Sequence, residues 1–260
     1  MLLAACAVFE TVAVAMSKLD YVSVYDSGLT LKRNINHNAN ISSIAMACLS
    51  PKLYFGDVLG ALVKVDLAEP SQAPLVKKLD GSVGAISCID VFASGELLAC
   101  GTADRSILIL RTDTLALHQT FTGHEGAITG LAVFNVDSHI VSGSSDKTLR
   151  MWRLADSAIS KATLSAAITC LAVSTDGARL ACGTEQQVQL WRIASMSLEH
   201  LRNVKCSASI TCVRFGSGSH RIFAGVWGSG LHEIDMTLGN ADRLVVSYDG
   251  AVSCATFGMH

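Results

Sequence analysis

The sequence predicts an all-β fold in which one unit of about 42 residues repeats along the chain. Three observations support this prediction. Short apolar segments alternate with turn residues, similar residues return at a nearly constant spacing, and no stretch sustains helical periodicity. Half of the 260 residues are hydrophobic, so the chain has ample material for a buried core.

Two sets of positions define the repeat. The first set follows a pair such as Ile-Ser or Ile-Thr, and its members are Ser43, Cys88, Gly130, Cys170, Cys212 and Cys254. The second set lies 12 residues further on and precedes a glycine each time, at Phe55, Cys100, Ser142, Cys182 and Ala224. Unrelated motifs would not keep both spacings, so we infer that one supersecondary unit recurs.

The strands of one unit can be assigned from its local pattern. Apolar or alternating segments at 115–122, 127–134, 140–142 and 148–152 are separated by turn residues such as Gly143–Asp146. Four short strands in each repeat of about 40–45 residues are typical of a propeller blade. The predicted fold class is therefore a β-propeller of four-stranded blades.

One unit carries a more specific pattern. It reads TGHEGAITGLAVFNVDSHIVSGSSDKTLRMWRL and contains His124, Ser142, Asp146 and Trp152. This series resembles the His, Ser, Asp and Trp positions of the WD-repeat family, although Arg153 stands where the family has a final Asp. The resemblance implies a WD40-type propeller.

The resemblance extends more weakly over almost the whole chain. His37 matches the His position, Asp104 the turn Asp and Trp191 the Trp. It also implies a buried structural tetrad of His124, Ser142, Asp146 and Trp152. In that tetrad the Asp accepts from the imidazole, the imidazole donates to the Ser hydroxyl, and the Ser donates toward the indole. Such a network holds neighbouring strands in register when every member is satisfied.

The spacing predicts a single propeller over residues 1–260, and it favours six blades. Their approximate bounds are 1–37, 38–80, 81–122, 123–162, 163–205 and 206–247. Residues 248–260 then supply a closing strand, which would remove an exposed sheet edge. The alternative is seven blades, of which the last is incomplete.

Composition limits the classes of partner. With 20 basic and 22 acidic residues the net charge is −2, which argues against nucleic acid as the main ligand. No apolar run reaches the ~18–20 residues of a membrane span. The nine cysteines are odd in number and include no Cys-x-x-Cys pair. We therefore expect reduced thiols, no metal site, and a cytoplasmic or nuclear location.

Catalytic motifs are missing from the sequence. It has no phosphate-binding Gly-Lys pair, no Gly-x-Ser-x-Gly elbow and no pair of histidines with zinc-protease spacing. His124, Ser142 and Asp146 superficially resemble a catalytic triad, but the buried tetrad accounts for all three. We expect no cofactor and no enzymatic activity.

One aromatic residue has no role in the repeat. Trp227 stands in a turn between two predicted strands, at the end of the propeller that also carries Glu125, Ser145 and Asp249. An aromatic anchor beside acidic groups suits a basic or amphipathic peptide. We expect these four residues to bind a partner.

The expected function is a non-catalytic scaffold that mediates protein–protein interactions as a subunit of a larger complex. One alternative is a peptide or histone-tail reader that uses the acidic and aromatic face. The other alternative is an enzyme with a pocket in the central channel of the propeller. The inner strands, which would line that channel, carry Ser, Cys, Gly and Ala, and these residues disfavour catalysis there. Most cysteines lie on predicted inner strands, whereas Cys206 lies in a predicted loop, and we expect Cys206, together with Cys6, to react quickly with thiol reagents.

Overall fold

The computed structural model describes residues 2–6, 11–15, 21–26, 28–47, 49–69, 71–79, 84–134, 138–216, 220–236 and 242–246. These ranges form 24 strands and no α-helix, so they contain no helix that could cross a membrane. Contacts divide the chain into two compact units, Met1–Ile128 and Thr129–His260.

The first unit contains three four-stranded antiparallel sheets, each with its strands in chain order. The first sheet comprises β1 (Leu2–Cys6), β2 (Thr11–Ala15), β3 (Tyr21–Asp26) and β4 (Leu31–Asn36). The second comprises β5 (Ile41–Met46), β6 (Lys52–Asp57), β7 (Ala61–Asp66) and β8 (Leu75–Lys78). The third comprises β9 (Ile86–Val91), β10 (Leu97–Thr102), β11 (Ile107–Arg111) and β12 (Leu117–Phe121).

The second unit repeats this arrangement in three further sheets. The fourth sheet comprises β13 (Ile128–Phe134), β14 (His139–Ser144), β15 (Thr148–Arg153) and β16 (Ile159–Thr163), of which β13 begins at the last residue of the first unit. The fifth comprises β17 (Cys170–Val173), β18 (Arg179–Gly183), β19 (Gln187–Ala194) and β20 (Ser197–Lys205). The sixth comprises β21 (Ile210–Phe215), β22 (Arg221–Val226), β23 (Gly230–Asp235) and β24 (Asp242–Val246).

The all-β fold of four-stranded antiparallel sheets is confirmed. The strands predicted from the most regular unit differ from the observed ones by one or two residues at either end, at Leu117–Phe121, Ile128–Phe134, His139–Ser144 and Thr148–Arg153. The number of blades in the complete propeller stays a prediction. The expected closing strand, at 248–260, lies outside the described residues.

Neighbouring sheets within each unit approach closely at a recurring glycine. In the first unit, a Cβ on Gly56 would lie 2.5 Å from Ile86. In the second unit, Gly143 meets Ile168 and Gly183 meets Ile210, each at 2.6 Å. The isoleucine of the following sheet thus fills the space that a side chain on the glycine would need. This contact explains why each position of the second set in the repeat precedes a glycine.

A recurring hydroxyl joins the same pairs of sheets. The side chains of three residues on or at the start of first strands donate to carbonyl oxygens of the following sheet at 2.6–2.7 Å: Ser42 to Ile86, Thr129 to Ile168 and Thr169 to Ile210. Ser42 and Thr129 are also within hydrogen-bond distance of the glycine carbonyl of their own sheet. The Ile-Ser and Ile-Thr pairs seen in the sequence therefore connect one sheet to the next.

Candidate functional site

The loops of the second unit gather at one end of its sheets. In an antiparallel sheet with strands in chain order, the turn between the second and third strands lies at the end where the chain enters from the previous sheet. Backbone hydrogen bonds link these segments: Ile210 N donates to Thr184 O at 3.1 Å, and Trp227 N donates to Ser209 O at 2.9 Å. We call this set of turns and links, from Ser144 to Ser229, the loop end.

Trp227 projects from the turn between β22 and β23, and it is 60% exposed. The turn is fixed by a hydrogen bond from Ser229 N to Val226 O at 3.2 Å. Gly228 adopts a φ of 66°, a left-handed conformation that glycine takes without steric cost. A large aromatic side chain thus stands in solvent on a turn of defined geometry.

Two members of the expected tetrad form a direct hydrogen bond. Trp152 Nε1 donates to Ser142 Oγ at 2.8 Å, and both side chains are buried. The direction is opposite to that expected, because an indole nitrogen can only donate. The Ser142 hydroxyl in turn reaches Arg150 O at 3.5 Å. This network joins the two central strands of the fourth sheet.

The other two members occupy separate elements. Asp146 lies in the turn between β14 and β15, where its Oδ1 accepts from Thr148 N at 2.9 Å and from Thr148 Oγ1 at 2.6 Å. His124 is buried in the segment before β13, within the first unit. The assignment of all four residues to one tetrad stays a proposal.

The structure reveals an acidic residue that sequence reasoning missed. In the first unit, His37 Nε2 lies 2.8 Å from Asp57 Oδ2, and both side chains are largely buried. Asp57 Oδ1 also accepts from Leu59 N at 2.9 Å and from Ala61 N at 2.8 Å. Asp57 lies two residues earlier in its own repeat than Asp146 does in its repeat. A search at fixed spacing therefore passes over Asp57. The only signal in the sequence was an acidic residue at the start of a glycine-containing turn.

The remaining candidate residues lie in different parts of the chain. Ser145 is exposed in the turn between β14 and β15, and Glu125 is exposed in the first unit. Asp249 lies outside the described residues. Of the four expected partner-binding residues, the loop end therefore contains Ser145 and Trp227.

The structure describes six cysteines with free thiols, at positions 88, 100, 170, 182, 206 and 212. Burial raises the pKa of Cys88, Cys170 and Cys182 to about 12 and that of Cys100 well above its usual value. Cys206 lies between β20 and β21 and is partly exposed. Among the described residues, no group of three or more His, Cys, Asp or Glu is arranged to hold a metal ion.

Comparison with known proteins matches part of this chain to a family of repeats. The family model "WD domain, G-beta repeat" matches residues 73–109, 116–153 and 159–192. Each match begins near the outermost strand of one sheet and ends in the third strand of the next. The sequence repeat is therefore offset by one strand from the structural sheet.

Curated relatives agree with this match. The mouse "Periodic tryptophan protein 2 homolog" is 38% identical over 109 residues, which is 40% of this chain and 12% of that protein. The zebrafish "p21-activated protein kinase-interacting protein 1-like" is 24% identical over 73% of this chain and 50% of its own length. The bovine "Pre-mRNA-processing factor 19" is 25% identical over 60% of this chain and 32% of its own length.

The chain thus spans half or less of the length of each of these relatives. Three repeat matches, the four-stranded antiparallel sheets and the Trp152–Ser142 hydrogen bond all agree with one family. Three segments between residues 73 and 192 are therefore WD repeats, and the four-stranded antiparallel sheets are consistent with propeller blades of the WD40 type.

Proposed function

We propose that this protein is a non-catalytic scaffold that binds other proteins within a multiprotein complex. The observation that carries the proposal is Trp227, a large aromatic side chain that is 60% exposed on a turn fixed by backbone hydrogen bonds. Tryptophan is enriched among the residues that dominate binding energy at protein interfaces. An anchor that is already ordered loses little conformational entropy on binding.

The rigidity of the sheets supports the same proposal. Within each unit, close glycine–isoleucine contacts and buried hydroxyl bonds join neighbouring sheets. A rigid body with short surface turns can bind several partners without refolding. One relative is named as an interacting protein of a kinase, and we extend only the general property of protein binding to this chain.

Two rival functions have less support. A reader of basic peptides or histone tails needs an acidic face around an aromatic anchor. Trp227 is exposed in the second unit, but the acidic Glu125 lies in the first unit and Asp249 lies outside the described residues. An enzyme with a channel pocket needs ionisable groups that converge on reacting atoms. The first-strand positions of the repeat carry Ser43, Cys88, Gly130, Cys170 and Cys212 instead.

Partners and location follow from charge and thiol chemistry. We propose protein partners rather than nucleic acid, because the net charge is −2. The free thiols among the described cysteines suit a reducing compartment, so we propose the cytoplasm or the nucleus.

Quantitative affinity capture from native extract tests the proposal. Tagged wild type, Trp227→Ala and Leu201→Ala are compared at equal loading. Leu201 is the matched control because it is a large apolar residue, 47% exposed, on the outer strand β20 of the same unit. We expect Trp227→Ala to weaken the main partner by more than ~1 kcal/mol, or about fivefold, while its melting curve stays close to that of wild type.

Three other outcomes would contradict a role of Trp227 as a binding anchor. A strong fall in melting temperature for Trp227→Ala would mean that the indole packs against its own loop. Unchanged binding and unchanged melting would place the binding surface away from the loop end. Equal loss of the partner in Trp227→Ala and Leu201→Ala would contradict a specific anchor.

A further inference from the structure

A cleft of about 320 Å³ opens at the loop end of the second unit. It lies between the turn that joins β18 to β19 and the link from β20 to β21. Its walls are formed by Ala166, Thr184, Glu185, Gln186, Gln187, Lys205 and Cys206. The two walls are tied together by a hydrogen bond from Cys206 N to Gln186 O at 2.8 Å, so the cleft has a fixed floor.

Four polar side chains around this cleft have no partner in the described part of the chain. Glu185, Gln186, Gln187 and Lys205 make no side-chain hydrogen bond or ion pair there. By contrast, the Thr184 hydroxyl is already bonded to Gln187 O at 3.1 Å. Four polar side chains that converge on one cleft are thus available to a ligand.

Their chemistry restricts what that ligand is. One carboxylate and one ammonium give the cleft no net charge, so neither a free anion nor a cation is favoured over the other. The two carboxamides each present a donor and an acceptor. A peptide main chain offers the same alternation of N–H and C=O groups.

The turn that carries the exposed Trp227 lies close to this cleft. The link Cys206–Ser209 separates them, and its three residue steps span at most ~10 Å. Cys206 lines the cleft at one end of this link, and Ser209 O accepts from Trp227 N at the other. An extended segment of about five residues, at ~3.3 Å each, covers both.

We propose that the cleft and Trp227 form one site for an extended peptide segment of a partner protein. Gln186 and Gln187 bind the main chain of the segment, and Trp227 packs against one of its side chains. Glu185 and Lys205 select charged side chains on either wall. This inference rests on the proposed scaffold function and names the kind of partner that the loop end accepts.

Binding of synthetic peptides tests this site directly. The probes are fluorescently labelled, blocked hexapeptides of alternating serine and leucine, with each position also replaced by Arg, Glu or Phe. We expect the tightest peptide to lose about fivefold or more in affinity with Gln186→Ala and with Trp227→Ala, but less than twofold with Leu201→Ala. Methylation of its main-chain nitrogens should abolish binding, because the N–H donors are lost.

Thiol protection provides a second measurement. Cys206 lines the cleft, so the bound hexapeptide should slow its reaction with maleimide, as mapped by mass spectrometry. No binding by any hexapeptide, equal binding to wild type and Gln186→Ala, or full affinity of the N-methylated peptide would each overturn the proposal.

The peptide site and the scaffold function can fail separately. If Trp227→Ala loses its partner from extract while Gln186→Ala neither loses that partner nor affects hexapeptide binding, the scaffold stands and the cleft proposal is wrong. If hexapeptides bind as expected but Trp227→Ala retains every captured protein, the site stands and the scaffold assignment for this face is wrong.

Discussion

At the scale of single residues, two sheets of the second unit differ in how well a buried indole N–H group is hydrogen-bonded. In the fourth sheet, Trp152 Nε1 donates to Ser142 Oγ at 2.8 Å. In the fifth sheet, Cys182 takes the place of the serine, and the buried Trp191 Nε1 has no oxygen or nitrogen acceptor. A thiol is a weaker acceptor than a hydroxyl, so the indole donor is left poorly satisfied.

This difference predicts that Cys182→Ser stabilises the protein by about 1 kcal/mol, the usual net contribution of one hydrogen bond. The new hydroxyl would accept from Trp191 Nε1, as the Ser142 hydroxyl accepts from Trp152 Nε1 in the fourth sheet. Chemical denaturation followed by circular dichroism measures the change in the free energy of unfolding.

Cys100→Ser is the matched control for this prediction. Cys100 is also fully buried and occupies the same slot in the third sheet, but Leu110 replaces the tryptophan there. A serine hydroxyl would be buried without an indole donor, so we expect destabilisation by about 1–3 kcal/mol. Stability changes of the same sign in both variants would refute the role of the Trp191 indole.

At the scale of elements, the contact between neighbouring sheets depends on glycine. A Cβ on Gly143 would lie 2.6 Å from Ile168 Cγ2, which belongs to the segment entering the fifth sheet. Gly143→Ala therefore forces the two sheets apart, and we expect a loss of about 1–3 kcal/mol in unfolding free energy. Gly28→Ala is the control, because its Cβ would come no closer than 3.4 Å to another atom. A loss no greater than that of Gly28→Ala would show that the sheets can yield at this point.

The first strands also determine thiol reactivity. Cys88 and Cys170 are partly exposed as residues, but their sulfur atoms pack against Gly101 and Gly183, and burial raises both pKa values to about 12. The thiolate fraction of these residues stays small at pH 9, whereas an ordinary thiol with a pKa near ~8.5 is mostly ionised there. We expect maleimide labelling of Cys206 to precede that of Cys88, Cys170 and Cys182 at pH 7 and at pH 9, as measured by peptide mapping. Rapid labelling of the three buried sulfurs in native protein would contradict their packing.

The sequence predicts the strands well because burial and turns repeat at a fixed spacing. The same spacing identified Ser142 and Trp152, which lie on adjacent strands of one sheet. It missed Asp57, because a shift of two residues in a turn leaves the strands unchanged. It also missed the cleft, whose walls come from the turn at Glu185 and the link at Cys206, about 20 residues apart. Contacts between loops depend on local backbone geometry that periodicity does not encode.

At the scale of the whole molecule, a rigid scaffold should change little when it binds its partner. The strand amides of both units are paired within four-stranded sheets. We therefore expect slow hydrogen exchange of these amides before any partner binds. We expect faster exchange for amides in turns and links, which carry Trp227 and the cleft.

Hydrogen exchange monitored by mass spectrometry, with and without the captured partner, tests this rigidity. We expect new protection in 184–187, 206–209 and 227–229, where a bound segment covers the backbone, and little change in β17–β19 or β21–β23. The Trp227→Ala variant with the same partner serves as the control, since it should show reduced protection at the loop end only. Broad slowing of exchange across the strands would instead mean that binding orders a mobile fold, which contradicts a preformed platform.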